Sequence, residues 1–433
     1  MLLVARHRDT VTRVWNCSGS GVTRRRALTS MLFAPAAASA ASAGLPGRAG
    51  ADTSAASGIR PWLPTPTGPC PVGRSVLSLV DRDRIDPWRP RSGNRRVMVS
   101  VWYPALPWEG TSAPYVSPAV SELVAETAEI PVPPTALSRV HTNSGPEASP
   151  RPGPWPLVVL SPGFGNPRAA VTATAEELAS QGTVVAGVDH TYEAPVEFPD
   201  GRVTECAKPV PCGFDEHHEL QRVVLSRVAD FRLVLEALVG PGSVWSGARV
   251  VDGSAIAVLG HSIGGAAAVQ AAYEDPRVRA GVNMDGTIHD PDSLAGTRAP
   301  VLLLGNARRL EQPDFDPSWR RTWSRLAGWK RFLLVRGTGH SSFTDWPVLI
   351  DQLGLRDELP TDTGQSDRDR LPSLRSVLIT RAYVTAFVRE HLAGESSPLF
   401  EGPSPHYPEV VFSGPESPEK GQRGRGAPSG QSP

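Results

Sequence analysis

Short, continuous apolar runs that alternate with helical segments constrain this chain most strongly. Such runs are typical of strands buried on both faces of a parallel sheet. Between them, residues 219–239 repeat apolar side chains in steps of three and four, which indicates an amphipathic helix. The runs lie at residues 157–161, 183–188, 255–259, 280–284, 300–304 and 332–335. The alternation predicts an α/β fold, a mostly parallel central sheet with helices on both faces.

Further elements are expected outside these runs. Residues 96–103 alternate and are β-branched, which predicts a strand. Helices are predicted at residues 119–128, 174–181, 264–273 and 373–392. Two long irregular segments remain, residues 104–156 and 191–216. They either shape a pocket at the carboxyl ends of the strands, where such sheets bind ligands, or are plain surface loops.

One motif stands at the end of the predicted strand 255–259. The sequence GHSIGG at residues 260–265 contains G-x-S-x-G and is followed by an Ala-rich helical segment. Its glycines allow a sharp strand-to-helix turn that exposes the Ser262 hydroxyl above a helix N-terminus. Ser262 is therefore the predicted nucleophile. The alternative is a Gly-rich turn with a capping serine.

A serine nucleophile needs a base within hydrogen-bond reach and an acid that orients the base. In this fold class the acid and then the histidine follow the serine along the chain. Four histidines qualify: His289, His340, His391 and His406. We expect His340 to be the base, because it lies in a Gly-flanked loop directly after strand 332–335.

Two positions compete for the acid. Asp285 stands at the end of strand 280–284, whereas Asp314 and Asp316 follow strand 300–304. A short tether to a strand fixes side-chain geometry better, so Asp285 is favoured over both alternatives.

The oxyanion formed in ester or amide cleavage needs two backbone N–H donors. The residue after the nucleophile, Ile263, supplies one of them. The second is expected from the loop SPGFG at residues 161–165. Pro162 has no N–H, so Phe164 is the predicted donor.

The four cysteines do not predict a metal centre. Cys206 and Cys212 lie six residues apart in the irregular segment 191–216, and a local disulfide is expected between them. This spacing offers too few ligands for a metal. The predicted chemistry also uses no cofactor.

These residues together resemble the platelet-activating factor acetylhydrolase family of α/β-hydrolases. The resemblance rests on GHSIGG, on the strand end VNMDG at residues 282–286, and on GHSSFTD at residues 339–345. VWYPA at residues 101–105 and the SPGFG loop extend it. It implies hydrolysis of short or oxidised phospholipid acyl groups without calcium, and it supports Asp285 as the acid. Pro162 departs from the family, which usually carries His before Gly there.

The chain ends predict export and a single catalytic domain. Residues 1–43 carry Arg24, Arg25 and Arg26 before an Ala/Ser-rich stretch that ends in ASA, which predicts a cleaved, twin-arginine-like signal. The alternative is a disordered N-terminus of a cytoplasmic enzyme. Residues 44–58 are expected to be a disordered linker and residues 59–400 the catalytic domain. In residues 401–433, 18 of 33 residues are Pro, Gly or Ser, which predicts a disordered tail.

The balance of basic and acidic residues limits the classes of binding partner that the sequence predicts. The full chain has 44 basic and 44 acidic residues, and loss of residues 1–43 would leave 38 basic and 43 acidic ones. This excludes a global basic footprint for nucleic acid. The expected partner is a small-molecule or lipid ester, with transient contact to a lipid interface.

The sequence thus predicts a secreted serine ester hydrolase. Alternatives are a cutinase- or lipase-like esterase of longer acyl chains or polyesters, and an inactive α/β-hydrolase used as a binding module. The oligomeric state is not predicted.

Overall fold

The computed structural model describes residues 59–414, apart from 129–130, 209, 213–216, 307, 313–315 and 359–370. Ten of its strands form one sheet, in the order β12-β11-β10-β9-β8-β4-β5-β2-β1-β3, and β6 and β7 form a small hairpin. The strands are β1 Val72–Ile85, β2 Asn94–Pro104, β3 Ser144–Pro146, β4 Trp155–Ser161, β5 Val184–His190, β6 Val196–Glu197, β7 Val203–Thr204, β8 Val251–His261, β9 Val278–Met284, β10 Val301–Asn306, β11 Lys330–Val335 and β12 Val410–Ser413.

The centre of the sheet is parallel and its edges are mixed. Strands β5, β4, β8, β9, β10 and β11 pair in parallel, in that order. β2 pairs antiparallel with β5 and β1, and β12 pairs antiparallel with β11. The mostly parallel α/β prediction is therefore confirmed.

Helices cover both faces. They are α1 Pro118–Thr127, α2 Thr172–Ser180, α3 His217–Leu238, α4 Ile263–Glu274, α5 Arg308–Glu311, α6 Ser318–Trp323, α7 Trp346–Gln352 and α8 Ser373–Val388. α3 and α4 pack together on one face, and α2 packs with α8 on the other. No helix in the described ranges is both long and apolar enough to cross a membrane.

Strand β4 shows why the central runs are continuously apolar. Val159 joins the core cluster that contains the buried faces of α3 and α4. Its neighbours Val158 and Leu160 join the opposite cluster, which contains α2 and α8. Successive side chains of a strand point to opposite faces, so a strand covered on both sides buries every residue.

The predicted start of the disordered tail is wrong. Residues 401–414 are folded, and β12 adds an antiparallel edge to β11. Val410 is 3% exposed, so this short segment does bury apolar surface. The Pro, Gly and Ser content averaged over residues 401–433 concealed the apolar run VVF. Residues 415–433 lie outside the described residues, as do residues 1–58, and the predictions for both stay predictions.

The parallel strands place the predicted site residues at one edge of the sheet. Ser161 ends β4, Ser262 follows β8, and Asp285 follows β9. His340 lies five residues beyond the end of β11 at Val335. The carboxyl ends of parallel strands meet at one edge, so residues far apart in sequence converge there.

Candidate active site

The turn at Ser262 has the strained backbone of a nucleophile elbow. Ser262 adopts φ 55° and ψ −130°, a region that non-glycine residues rarely occupy. A Cβ atom on Gly260 would lie 2.2 Å from the Gly264 carbonyl carbon, so the turn can close only on glycine. The strain is consistent with a turn that lifts the hydroxyl out of the sheet.

A continuous hydrogen-bond chain joins the three predicted catalytic residues. His340 Nε2 lies 3.0 Å from Ser262 Oγ, and His340 Nδ1 lies 2.7 Å from Asp285 Oδ2. The Asp285 side chain is 2% exposed, whereas that of His340 is 54% exposed and faces the cleft. With Asp285 ionised, Nδ1–H donates to the carboxylate and Nε2 accepts from the serine hydroxyl.

Three donors on two residues, one at the end of β10 and one in α5, hold the Asp285 carboxylate. Asn306 donates its backbone N at 3.1 Å and its Nδ2 at 2.6 Å, and Arg309 Nε donates at 3.0 Å. Burial alone would raise the pKa of Asp285, but the hydrogen bond and charge of His340, together with Arg309, lower it below its usual value. The acid is therefore held ionised.

The alternative acid Asp316 has another role in the structure. Its carboxylate accepts from Arg309 Nη1 at 2.7 Å and from the Thr287 hydroxyl at 2.8 Å. It thus supports the arginine that contacts Asp285 and does not contact His340. Asp314 lies outside the described residues.

The backbone of the SPGFG loop orients the predicted oxyanion donor Phe164. The Gly163 carbonyl accepts from the Asn166 amide at 3.3 Å. In a trans peptide the N–H points away from the C=O of the same unit, so the Phe164 N–H faces the opposite direction. A Cβ on Gly163 would lie 3.3 Å from Ser262 Cβ, which shows how closely this loop approaches the nucleophile. The second predicted donor, Ile263, opens α4, and amides in a helix's first turn have no acceptor within the helix.

A cleft of about 1010 Å³ opens above Ser262. α1, which begins at Pro118 after the N-cap Ser117, contributes Leu123 and Thr127 to one wall. The irregular segment 191–216 contributes another part of the wall, so both segments that sequence analysis singled out line the cleft. The other lining residues include Phe164, Pro195, Glu205, Lys208, Pro211, Leu220, Ile263 and His289.

The expected local disulfide forms in that wall. Cys206 and Cys212 are bonded, with their Cα atoms 5.7 Å apart, and both line the cleft. The Ala207 amide between them donates to the Tyr192 carbonyl at 2.9 Å. This hydrogen bond therefore holds the disulfide-bonded loop against the start of the same segment, just after β5.

Other residues considered at the sequence level lie elsewhere. His391 packs against Trp329 and Phe387, in a π-helical turn that extends α8. His406 lies in the folded segment 401–414. Among the described residues, no cluster of three or more His, Cys, Asp or Glu side chains has the arrangement of a metal site.

Three residues of the site escaped sequence analysis: His261, Asn306 and Arg309. His261 Nε2 lies 2.9 Å from the His340 carbonyl oxygen, and the two rings are 4.7 Å apart between centroids. His261 directly precedes Ser262 in the GHSIGG motif, so its position in the sequence could have indicated that it belongs to the site. Asn306 ends β10, next to the strand that carries Asp285, and gave only a positional hint.

Comparison with known proteins adds independent observations. The family model described as platelet-activating factor acetylhydrolase, isoform II, matches residues 135–196 and 248–395, which include the four residues Phe164, Ser262, Asp285 and His340. A probable 1-alkyl-2-acetylglycerophosphocholine esterase of Arthroderma benhamiae is 28% identical over 385 residues, 81% of this chain and 93% of that protein. The platelet-activating factor acetylhydrolase of Canis lupus familiaris is 26% identical over 219 residues, 44% of this chain and 48% of its own length.

A solved structure matches more of the chain at higher identity. The ferulic acid esterase from Streptomyces cinnamoneus is 43% identical, with a TM-score of 0.74. The match covers 82% of this chain and 99% of that one.

Proposed function

Because the chain belongs to the platelet-activating factor acetylhydrolase family of α/β-hydrolases and is an ester hydrolase, we propose that it cleaves short-acyl carboxylic esters through Ser262, His340 and Asp285. The observation that carries this proposal is the hydrogen-bond chain from Ser262 Oγ through His340 to Asp285 at the base of the cleft. Each link has the length of a normal hydrogen bond, and each partner has the chemistry its role requires.

In the proposed reaction, Ser262 Oγ attacks the ester carbonyl carbon while His340 Nε2 takes the hydroxyl proton. The Phe164 and Ile263 amides stabilise the negative charge on the carbonyl oxygen. His340 then protonates the leaving alkoxide, which gives an alcohol and an acyl-Ser262 ester. His340 takes a proton from a water molecule, whose oxygen attacks that ester; His340 then returns the proton to Ser262 Oγ as the carboxylic acid leaves. Asp285 holds the imidazole and stabilises its protonated form.

Fluorophosphonate labelling tests this assignment and the predicted export together. We expect the probe to modify the Ser262 peptide, and Ser262→Ala to lower kcat by on the order of 10⁶-fold with an unchanged fold. The exposed Ser341 beside His340 provides the matched control, and Ser341→Ala should keep both labelling and turnover. Absence of labelling, or activity retained in Ser262→Ala, contradicts the mechanism and favours the binding-module alternative.

We further propose that the enzyme is exported through its N-terminal segment. The Cys206–Cys212 disulfide supports this proposal, because disulfides persist mainly in oxidising compartments. If the full chain is expressed in a bacterium with a twin-arginine pathway, the labelled protein should appear outside the cytoplasm and lack its first residues. Labelled protein confined to the cytoplasm with an intact N-terminus contradicts export.

Two substrate classes have support. The Arthroderma benhamiae relative is named a probable 1-alkyl-2-acetylglycerophosphocholine esterase, and the match covers 93% of that protein. This similarity favours a short acyl group on a lipid alcohol as the substrate. The 43% identity to a ferulic acid esterase favours an aromatic acyl group as a second candidate. A cleft of about 1010 Å³ has room for either.

A substrate series separates these candidates from the cutinase- or lipase-like alternative. kcat/KM would be measured with p-nitrophenyl acetate, butyrate, octanoate and palmitate, with methyl ferulate, and with an sn-2-acetyl phosphatidylcholine. The first candidate predicts a decline from acetate to palmitate and turnover of the phospholipid. A preference for methyl ferulate favours the aromatic ester, and a preference for octanoate or palmitate favours the lipase-like activity.

A further inference from the structure

Hydrogen bonds hold both ends of the loop that carries Phe164. At its start, Arg227 Nη1 donates to the Pro162 carbonyl oxygen at 2.6 Å. At its other end, the Gly165 amide donates to the Glu193 carbonyl oxygen at 3.1 Å. The two anchors are joined, because Arg227 Nε donates to Glu193 Oε2 at 2.8 Å. The residues of one ion pair, Arg227 and Glu193, therefore hold the two ends of the loop.

This ion pair is shielded from water. The side chains of Arg227 and Glu193 are each 1% exposed. Arg227 Nη1 also donates to Ser161 Oγ at 3.1 Å, so its guanidinium holds acceptors on β4 and on the loop at the same time. A planar guanidinium presents its donors in a fixed fork, which sets these acceptors in one geometry.

Ser161 itself is oriented by a buried hydrogen-bond chain. Ser161 Oγ lies 2.9 Å from His190 Nε2, and His190 Nδ1 lies 2.8 Å from Asp230 Oδ2. All three residues are at most 2% exposed, so no substrate reaches them. Burial and the nearby Arg227 lower the pKa of His190, whose imidazole is therefore neutral.

The proton positions in this chain follow from the Asp230 carboxylate. Arg95 and His190 outweigh the effect of burial and hold the pKa of Asp230 well below its usual value. An ionised Asp230 only accepts, so His190 donates from Nδ1, and its Nε2 accepts a hydrogen bond from the Ser161 hydroxyl. The Ser161 oxygen is then turned to accept from Arg227. The hydrogen bonds from Arg227 through Ser161 and His190 to Asp230 thus run in one consistent direction.

We propose that Arg227, paired with Glu193, is a positioning residue for ester hydrolysis, which fixes the Phe164 amide before the substrate binds. The inference rests on the proposed function, in which that amide stabilises the oxyanion. Donors that are already in place lower the barrier because they need no reorganisation during the reaction. An interaction made mainly in the transition state affects kcat more than substrate binding.

The test compares Arg227→Met with a matched buried arginine away from the loop. Arg381 is 2% exposed and donates to the Ala173 and Pro64 carbonyl oxygens at 2.9 and 2.8 Å. With p-nitrophenyl acetate, we expect kcat of Arg227→Met to fall by about 10²-fold relative to Arg381→Met, the effect of one lost oxyanion donor. KM should change by no more than about threefold, as expected for a transition-state effect.

Conservative variants keep the test decisive if Arg227→Met does not fold. Arg227→Lys keeps the charge and a donor but not the fork, so kcat should be intermediate between that of the wild type and that of Arg227→Met. Glu193→Gln keeps the backbone contact to Gly165 and weakens the ion pair, and kcat should fall by about tenfold at constant KM. Folded Arg227→Lys and Glu193→Gln proteins with wild-type kcat overturn the proposal. A loss in Arg227→Met no larger than in Arg381→Met, or confined to KM, also overturns it.

Labelling separates this proposal from the proposed function. Fluorophosphonate should modify Ser262 in the wild type and in Arg381→Met, and more slowly in Arg227→Met. If the wild type is not labelled at Ser262, the proposed function is wrong. If the wild type is labelled but Arg227→Met turns over like the control, only the positioning role is wrong.

Discussion

At the residue scale, His261 links the nucleophile turn to the base. Its ring is 3% exposed, and burial, with the charge of His340 nearby, lowers its pKa to about 3. It is therefore neutral near pH 7, and its Nε2–H donates to the His340 carbonyl oxygen at 2.9 Å. His261, the residue before Ser262, thus holds the backbone of His340, which we propose moves protons to and from Ser262.

Replacing His261 should slow turnover in proportion to the lost hydrogen bond. A buried acceptor left without its donor costs about 1–3 kcal/mol, so His261→Leu should lower kcat by about tenfold or more. His261→Gln retains an N–H donor and should recover part of that loss. The measurement is kcat with p-nitrophenyl acetate alongside the melting temperature. Equal kcat in the two variants at equal stability contradicts this role.

The parts of the site that sequence analysis predicted are those with local signals. The G-x-S-x-G motif predicted Ser262, and the Gly-flanked loop predicted His340. Asp285 was predicted because it directly follows the last residue of its strand. The structure brings these three residues together. Arg227 had no such signal, because its acceptor on Pro162 is 65 residues away and the pairing exists only after folding.

At the element scale, continuous apolar runs and the alternating run 96–103, which is β2, predicted strands well, whereas polar or short strands were missed. All six runs correspond to strands β4, β5, β8, β9, β10 and β11 of the sheet. β1 was missed because its last five residues, with the sequence DRDRI, are mostly charged and mostly exposed. β12 was missed because it has four residues within a Pro- and Gly-rich segment. Sheet edges face solvent, so they lack the pattern that marks the centre.

Strand β12 should contribute measurably to stability. It pairs with β11 from Phe332 to Val335, and the Arg375–Glu409 ion pair lies beside it. Removal of residues 408–433 deletes β12 with its buried Val410 and uncovers the edge of β11, which should lower the free energy of unfolding by at least about 2 kcal/mol. Because β11 leads into the His340 loop, activity should fall as well. Removal of residues 415–433 alone is the control, and urea unfolding that gives the same stability for both truncations contradicts this prediction.

At the scale of the whole molecule, two sets of buried groups give stability opposite dependences on pH. Burial lowers the pKa of His190 and of His261, so the unfolded chain binds protons first and acid favours unfolding. Burial raises the pKa of Asp345 well above its usual value, and that of Glu176 as well, so the folded chain binds protons first. Between about pH 4 and 6.5, the ordinary values of these groups, the two sets offset each other.

Replacing one of these acids should change how the free energy of unfolding depends on pH. Asp345 is 2% exposed and accepts from the Ala173 amide at 3.1 Å, a contact that Asn can keep. Because the folded pKa of Asp345 is raised, its contribution to stability is complete below about pH 4 and is lost as pH rises. The stability of Asp345→Asn relative to wild type should therefore increase with pH above about 4, by up to about 1.4 kcal/mol per unit. Urea unfolding at pH 4, 5.5 and 7 measures this difference.

Asp292, whose side chain is 78% exposed, is the control, and Asp292→Asn should show no such trend. A difference for Asp345→Asn that is flat or falls with pH contradicts the argument, because a carboxyl that ionises as easily in the folded as in the unfolded chain has no linkage to folding.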